Sequence, residues 1–355
     1  MNNHEAFQIL EFLDIKAMNE EKIGGLIQKA YNSLKEPDAN QALLLLHDTL
    51  KLDYEHAEAL FAMKCINWWL DRMNRLEDFR SSYEKGGFIL SQWKSFLNFD
   101  EKVGIGEAGD TCRYALRRWV FSRALGFFRD TLGEGEHDSE VLYQIGRCYK
   151  GVGDYGEAVK YLEQAAGVKQ DDAGILSELA DVNALLGDAR AAKVLFREAF
   201  FLDAQDIELS SLESEMIVRL IRKVEGLGYE GAELSEWIPV YGTLWGVFSI
   251  KKELKALELG KLKQTVMALE GDIRNGEKSN LLKPRLLNRY FRLVDYYEGA
   301  GRGKPPVKTG PAPAGRKNSA PSGSNAGKAS GEDAAAEIMM KIKFIDEEIY
   351  KQYRN

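Results

Sequence analysis

The sequence predicts an all-α protein built from stacked helical hairpins, a solenoid followed by a helical extension, and three observations carry that reading. No proline occurs between Asp38 and Ile238, a length over which the turns of a sheet fold would need several. Apolar residues recur every three to four positions, as in Leu209, Leu212, Met216, Leu220 and Val224, which is the period of one helix face. One pattern is also stated twice at a spacing of 34 residues. Leu142, Ile145, Gly146, Tyr149, Gly153, Asp154, Ala158, Leu162 and Ala165 return as Leu176, Leu179, Ala180, Asn183, Gly187, Asp188, Ala192, Phe196 and Ala199.

The repeated residues have separate physical jobs. Small side chains at Gly146, Ala158 and Ala165, and at Ala180, Ala192 and Ala199, let two helices approach closely while the larger apolar residues fill the remaining space. Gly153 and Gly187 suit left-handed helix ends, and Asp154 and Asp188 suit the N-caps that follow. One hairpin cannot bury its apolar face alone, whereas stacked copies can. In these residues the chain resembles the tetratricopeptide repeat family. The resemblance implies a right-handed superhelix of antiparallel helix pairs that serves as a binding scaffold.

In the same register, partial matches begin near Ile23, near Ala57 and at Ile105, giving about five units of which the two from Ser139 to Asp206 are clear. The Ile105 unit has Trp119 where a turn glycine is usual, and Leu76 to Phe99 reads as one long helix outside the repeat. Residues 1–206 are therefore expected to form the solenoid and 207–299 a C-terminal helical extension. Within the extension, Leu262, Val266, Leu269 and Ile273 form one stripe, and Leu287, Tyr290 or Phe291, Val294 and Tyr297 another. The nearly uncharged run from Trp237 to Ile250 contains Pro239, Gly242 and Gly246 and reads as a buried linker or cap, too short to span a bilayer. Residues 300–331 hold five of the eight prolines and seven glycines, the composition of a flexible linker. After it, Ala335, Ile338, Ile342, Ile345, Ile349 and Tyr353 make the apolar stripe of an amphipathic helix over 332–355. Such a helix is marginal alone in water, so Ile338, Ile342, Ile345 and Ile349 are expected to dock it, in cis or on a second copy; the alternative is a recognition segment for another protein, disordered when alone.

Composition narrows the function classes. The 300–331 segment carries six basic residues and no acidic one, leaving 42 basic and 55 acidic residues elsewhere, a balance that disfavours nucleic-acid binding by the folded part. Three scattered cysteines, Cys65, Cys112 and Cys148, give no disulfide framework or CxxC pair. The N-terminal residues carry no secretory signal and no apolar run is long enough to cross a membrane, so a soluble cytoplasmic protein is expected. Gly104 to Gly109 satisfies GxGxxG, but the motif needs a preceding strand, and an inter-helix loop is the better reading. Gly327 and Lys328 lack the first glycine and the metal-ligating hydroxyl of a phosphate-binding loop. Four histidines, His4, His47, His56 and His137, have no metal-ligand or catalytic-triad spacing. No catalytic residue, cofactor or metal site is expected.

The tetratricopeptide resemblance also implies which residues line the concave groove: Phe61, Cys65, Trp68 and Trp69, then Arg113 and Arg117, then Tyr143, Arg147 and Lys150, and lastly Glu178 and Asp181. Four cations on two neighbouring helices with a tyrosine among them suit an acidic protein or peptide segment; the alternative is a solvated charged face. The carboxylate-clamp set of some family members is not matched, since Gly109 and Arg113, Gln144, Gly174 and Ser177 stand at its positions. The expected function is a non-enzymatic adaptor. The alternative is an enzyme or regulator with a small-molecule pocket in the 237–297 region.

Overall fold

The computed structural model describes residues 3–35, 38–132, 138–250, 253–301 and 324–354. These residues form helices and turns with no strand, and the chain divides into two compact units, Met1–Lys169 and Gln170–Asn355.

The first unit contains α1 (Asn3–Lys35), α2 (Ala39–Leu52), α3 (Ala57–Asn74), α4 (Ser82–Val103), α5 (Asp110–Thr131), α6 (Ser139–Val152) and α7 (Tyr155–Val168). Helix starts are set by short polar side chains that satisfy otherwise orphaned backbone N–H groups. Asp38 accepts from the Gln41 N–H at 2.9 Å, His56 Nδ1 from Ala59 at 3.3 Å, and Ser81 forms a capping box with Glu84. The core is aromatic where α3 meets α4: Trp69 lies 5.9 Å from Trp93 and 5.5 Å from Phe96 between ring centroids.

α6 and α7 form the hairpin that the repeat predicts. Gly153 has φ 91°, and the Asp154 N–H returns to the Tyr149 carbonyl at 2.9 Å, the left-handed ending that glycine adopts without strain. Asp154 then caps α7 by accepting from Glu157 at 3.2 Å. A Cβ on Gly146 would stand 2.6 Å from Leu162 Cγ, so only glycine allows this helix contact. Ala158 and Ala165 are fully buried. Ala158→Leu is accordingly expected to destabilise this unit by about 1 to 3 kcal/mol through overpacking, read as a lowered melting temperature.

The unit expected at Ile105 has a different shape. α5 runs unbroken through Trp119, which is 6% exposed, because no glycine or proline between Asp110 and Gly126 interrupts it. α5 packs against both α4 and α6. The GxGxxG string is the connection between α4 and α5, with a 3₁₀ turn at Gly106–Gly109 and Gly106 at φ 63°.

The second unit contains α8 (Ala173–Leu185), α9 (Ala189–Leu202), α10 (Glu215–Glu225), α11 (Gly231–Leu244), α12 (Ala256–Arg274), α13 (Leu282–Gly301), α14 (Ser324–Ile345) and α15 (Glu347–Arg354). α8 and α9 repeat the hairpin: Gly187 has φ 89° and Asp188 accepts from Ala191 at 2.9 Å. Phe196 and Phe200 of α9 share one core with α10 to α13, so the second clear repeat copy belongs to the same compact unit as the C-terminal extension, and the division after Lys169 replaces the one expected after residue 206.

The apolar run from Trp237 is a linker only in its last part. Through Leu244 it belongs to α11, with Pro239 inside the helix. Burial of Trp237, Ile238 and Val240 outweighs the one backbone hydrogen bond that a proline forfeits. The segment expected to be a linker also begins and ends in helix: α13 reaches Gly301 and α14 begins at Ser324. Residues 302–323 lie outside those described. Asp346 splits the terminal helix in two, its Oδ1 accepting from the Ile349 N–H at 2.9 Å to start α15.

Candidate functional site

The residues expected to line a groove do not form one open surface. Phe61 and Trp69 are buried in the core of the first unit, as is Cys65. Trp68 is half-buried there, stacked on Phe99 at 5.7 Å, with the Arg72 guanidinium 3.2 Å above its ring. The reason is α4: the long helix outside the repeat lays Trp93, Phe96 and Phe99 against the α3 face that the register would leave open.

Arg113 is committed to its own connection. Its Nε donates to both Asp100 oxygens, at 3.0 and 2.8 Å, and its Nη1 to the Gly106 carbonyl at 2.7 Å and to Asp110 at 2.8 Å. A guanidinium with this many acceptors is a fastener for the α4–α5 turn. Arg117 reaches the Lys150 carbonyl at 3.5 Å, Arg147 lies 5.5 Å from the Tyr143 ring centroid, and Lys150 is 4% exposed. All four of these residues have partners. The basic groove of Arg113, Arg117, Arg147 and Lys150 is thus largely internal bracing.

Glu178 and Asp181 in the second unit are also buried. Asp181 accepts from the Glu213 N–H at 2.9 Å and the Ser214 N–H at 2.8 Å, and Glu178 accepts from Ser211. Asp181 therefore satisfies the backbone of the turn before α10 and Glu178 the Ser211 hydroxyl of the same segment, which is how buried acids are retained in a core.

A surface cleft lies elsewhere in the first unit, between the end of α1 and the outer face of α5. Leu34, Trp119 and Phe127 give it an apolar floor, and Lys35, Arg118 and Arg123 stand around it with Asp130, enclosing about 230 Å³. Arg118 donates to the Tyr114 hydroxyl at 3.2 Å, and the Arg123 guanidinium sits 5.5 Å from the Phe127 centroid. Among the described residues none of the three cations is ion-paired with a carboxylate. Sequence reasoning passed over this cleft because Arg118 and Arg123 lie on the α5 face opposite the expected groove; the signal was the density of arginine along one uninterrupted helix.

The tail stripe is gathered in the core of the second unit. Ile342 is fully buried, Ile338 and Ile349 nearly so, and Ile345 is half-buried. The Tyr353 ring stacks on Phe291 at 4.4 Å with 4° between planes. Lys341 pairs with Glu270 at 3.1 Å and Lys283 with Asp346 at 2.7 Å. Burial opposes the Asp346 charge, but Lys283 and the N–H of Ile349 outweigh it and hold the carboxyl below its usual range.

Among the described residues, no group of three or more histidine, cysteine, aspartate or glutamate side chains is placed to hold a metal ion, and no helix is long and apolar enough to cross a membrane. None of the curated proteins compared with the chain matches it. Residues 139–172, the span of α6, α7 and the turn after them, match the family model for the tetratricopeptide repeat; the chain carries a repeat of the kind that suggests a protein–protein interaction module.

Proposed function

We propose that the protein is a non-enzymatic adaptor whose first unit binds an acidic segment of a partner protein across the cleft between α1 and α5. The observation that carries this reading is the placement of Lys35, Arg118 and Arg123 around the apolar floor of Leu34, Trp119 and Phe127. Cations at a rim steer and orient an acidic chain, while an apolar floor supplies the contact area that charge alone does not. The repeat at 139–172 supports a protein partner, and three buried free thiols support a reducing, cytoplasmic setting. The C-terminal helix, with Ile342 fully buried, belongs in this reading to the second unit in cis.

Binding of the full-length chain to an array of acidic, neutral and basic peptides, followed by titration of the strongest acidic peptide, tests the proposal. Lys35→Gln with Arg118→Gln and Arg123→Gln is expected to weaken that binding about tenfold, from roughly 0.5 kcal/mol for each exposed pair, and binding by the parent should fall as salt rises. Equal affinity of parent and triple variant would remove the cleft from consideration.

A further inference from the structure

The second unit contains a larger cavity, about 530 Å³, bounded by the start of α8 and by α9, α12 and α13, in the size range of small-molecule sites. Leu176, Leu195, Phe201, Leu202, Leu254 and Leu262 make most of its wall apolar. Arg289 and Arg292 line it as well, their guanidinium carbons 4.3 and 4.6 Å from the centroid of the same Phe201 ring.

The two arginines are unequally served. Arg292 is 3% exposed; one nitrogen pairs with Glu198, while Nε and Nη1 have no acceptor. Arg289 donates from Nη1 to the Phe201 carbonyl, and no carboxylate among the described residues lies within ion-pair distance of it. The acids nearby are otherwise engaged. Glu236 accepts from Arg285 at 2.7 Å and Gln205 at 2.9 Å, Glu258 from the Lys255 N–H at 2.7 Å, and Asp203 from the Gln205 N–H at 2.9 Å. Burial pushes Arg289 down to about 10, with Arg285 and Arg292 adding to the effect and Glu236 and Asp203 opposing it. The buried Arg292 guanidinium, with two nitrogens short of acceptors, is costly unless something supplies them, and the half-buried Arg289 beside it carries a charge that no carboxylate among the described residues offsets at ion-pair distance.

We propose that this cavity binds a small amphipathic carboxylate, its anionic head on Arg289 and its apolar body against Phe201, Leu202, Leu254 and Leu262. A single negative charge fits better than a phosphate dianion, because the three cations that border the space, Arg289, Arg292 and Lys261, are matched by Asp171, Glu198 and Glu258, which would repel a second charge. The site goes beyond the adaptor reading and does not depend on it, since the cleft lies in the other unit.

Calorimetric titration of the full-length protein with hexanoate, hexanamide and inorganic phosphate tests the site. Hexanoate is expected to bind in the millimolar range or tighter, at least about tenfold better than the uncharged hexanamide, and phosphate should bind more weakly than hexanoate. Arg289→Gln is expected to reduce hexanoate to the level of hexanamide, and Arg289→Lys to retain part of the preference. Displacement of hexanoate by acetyl-dileucine with a free carboxyl, but not by its amide, supports the same chemistry and assigns it to a peptide C-terminus; failure of both to displace it supports a free acid. Absence of heat with millimolar hexanoate, equal affinity for acid and amide, or phosphate binding as tightly as hexanoate would overturn the proposal. None of these three outcomes depends on a variant folding. Undiminished hexanoate binding by a folded Arg289→Gln protein would overturn it as well.

Discussion

Ile342→Asp is expected to free the C-terminal helices from the second unit and to destabilise that unit by about 4 kcal/mol or more. Ile342 is fully buried and belongs to the core shared by α9 to α13, so the substitution removes a branched apolar side chain and leaves an unpaired carboxylate in its place. The other attachments would not compensate. The Lys341–Glu270 and Lys283–Asp346 pairs are partly exposed, and exposed pairs contribute about 1 kcal/mol or less each. Ile345 is half-buried, so Ile345→Asp alone should cost less, which makes it the internal control. Amide hydrogen exchange over residues 332–354 reads the release directly. Protection in Ile342→Asp equal to that of the parent would mean that the helix is held by something other than its isoleucine stripe.

How much of this architecture was legible in the sequence depends on where the determining contacts lie. The α6–α7 and α8–α9 hairpins could be read residue by residue because their signals are local: a left-handed glycine at 153 and 187, an N-cap aspartate directly after it, and small residues at fixed spacing where helices touch. The tail stripe was legible for the same reason, although its break at Asp346 was not, since an aspartate is also compatible with a helix interior and the Lys283 that pairs with this one comes from α13. The groove was misread because a register says which face of a helix a residue occupies and nothing about what covers that face. Arg113 is neutralised by Asp100 from the preceding helix, and Trp68 and Trp69 are covered by α4, a helix that interrupts the repeat. The arginines of α13 were overlooked for a related reason. Leu287, Tyr290, Phe291 and Val294 define its apolar face, and Arg285, Arg289 and Arg292, spaced four and three residues apart, resemble an ordinary solvated stripe until a second layer of helices is placed over them.

Asp295→Ala is expected to cost the second unit about 3 to 5 kcal/mol, whereas Arg197→Met combined with Asp295→Leu is expected to be close to neutral or stabilising. Arg197 on α9 and Asp295 on α13 form an ion pair whose side chains are 8% and 6% exposed. Arg197 also donates to the Ile250 carbonyl at 3.2 Å, and the Asp295 carboxylate raises the Tyr353 hydroxyl, after burial, by its charge and a hydrogen bond. One pair therefore ties α9, the segment after α11, α13 and α15 together. Removing only the acid leaves a desolvated guanidinium with no counter-charge, the large term in such substitutions. Replacing both partners by apolar side chains of similar volume removes the desolvation cost along with the attraction. Urea unfolding followed by circular dichroism distinguishes the cases: the single variant should lower the midpoint at unchanged slope, and the double variant should restore it. A single variant as stable as the parent would show that Asp295 contributes no net charge compensation to Arg197. A double variant as unstable as the single one would instead assign the loss to the hydrogen bonds that Arg197 and Asp295 make with Ile250 and Tyr353, with the ion pair itself contributing little.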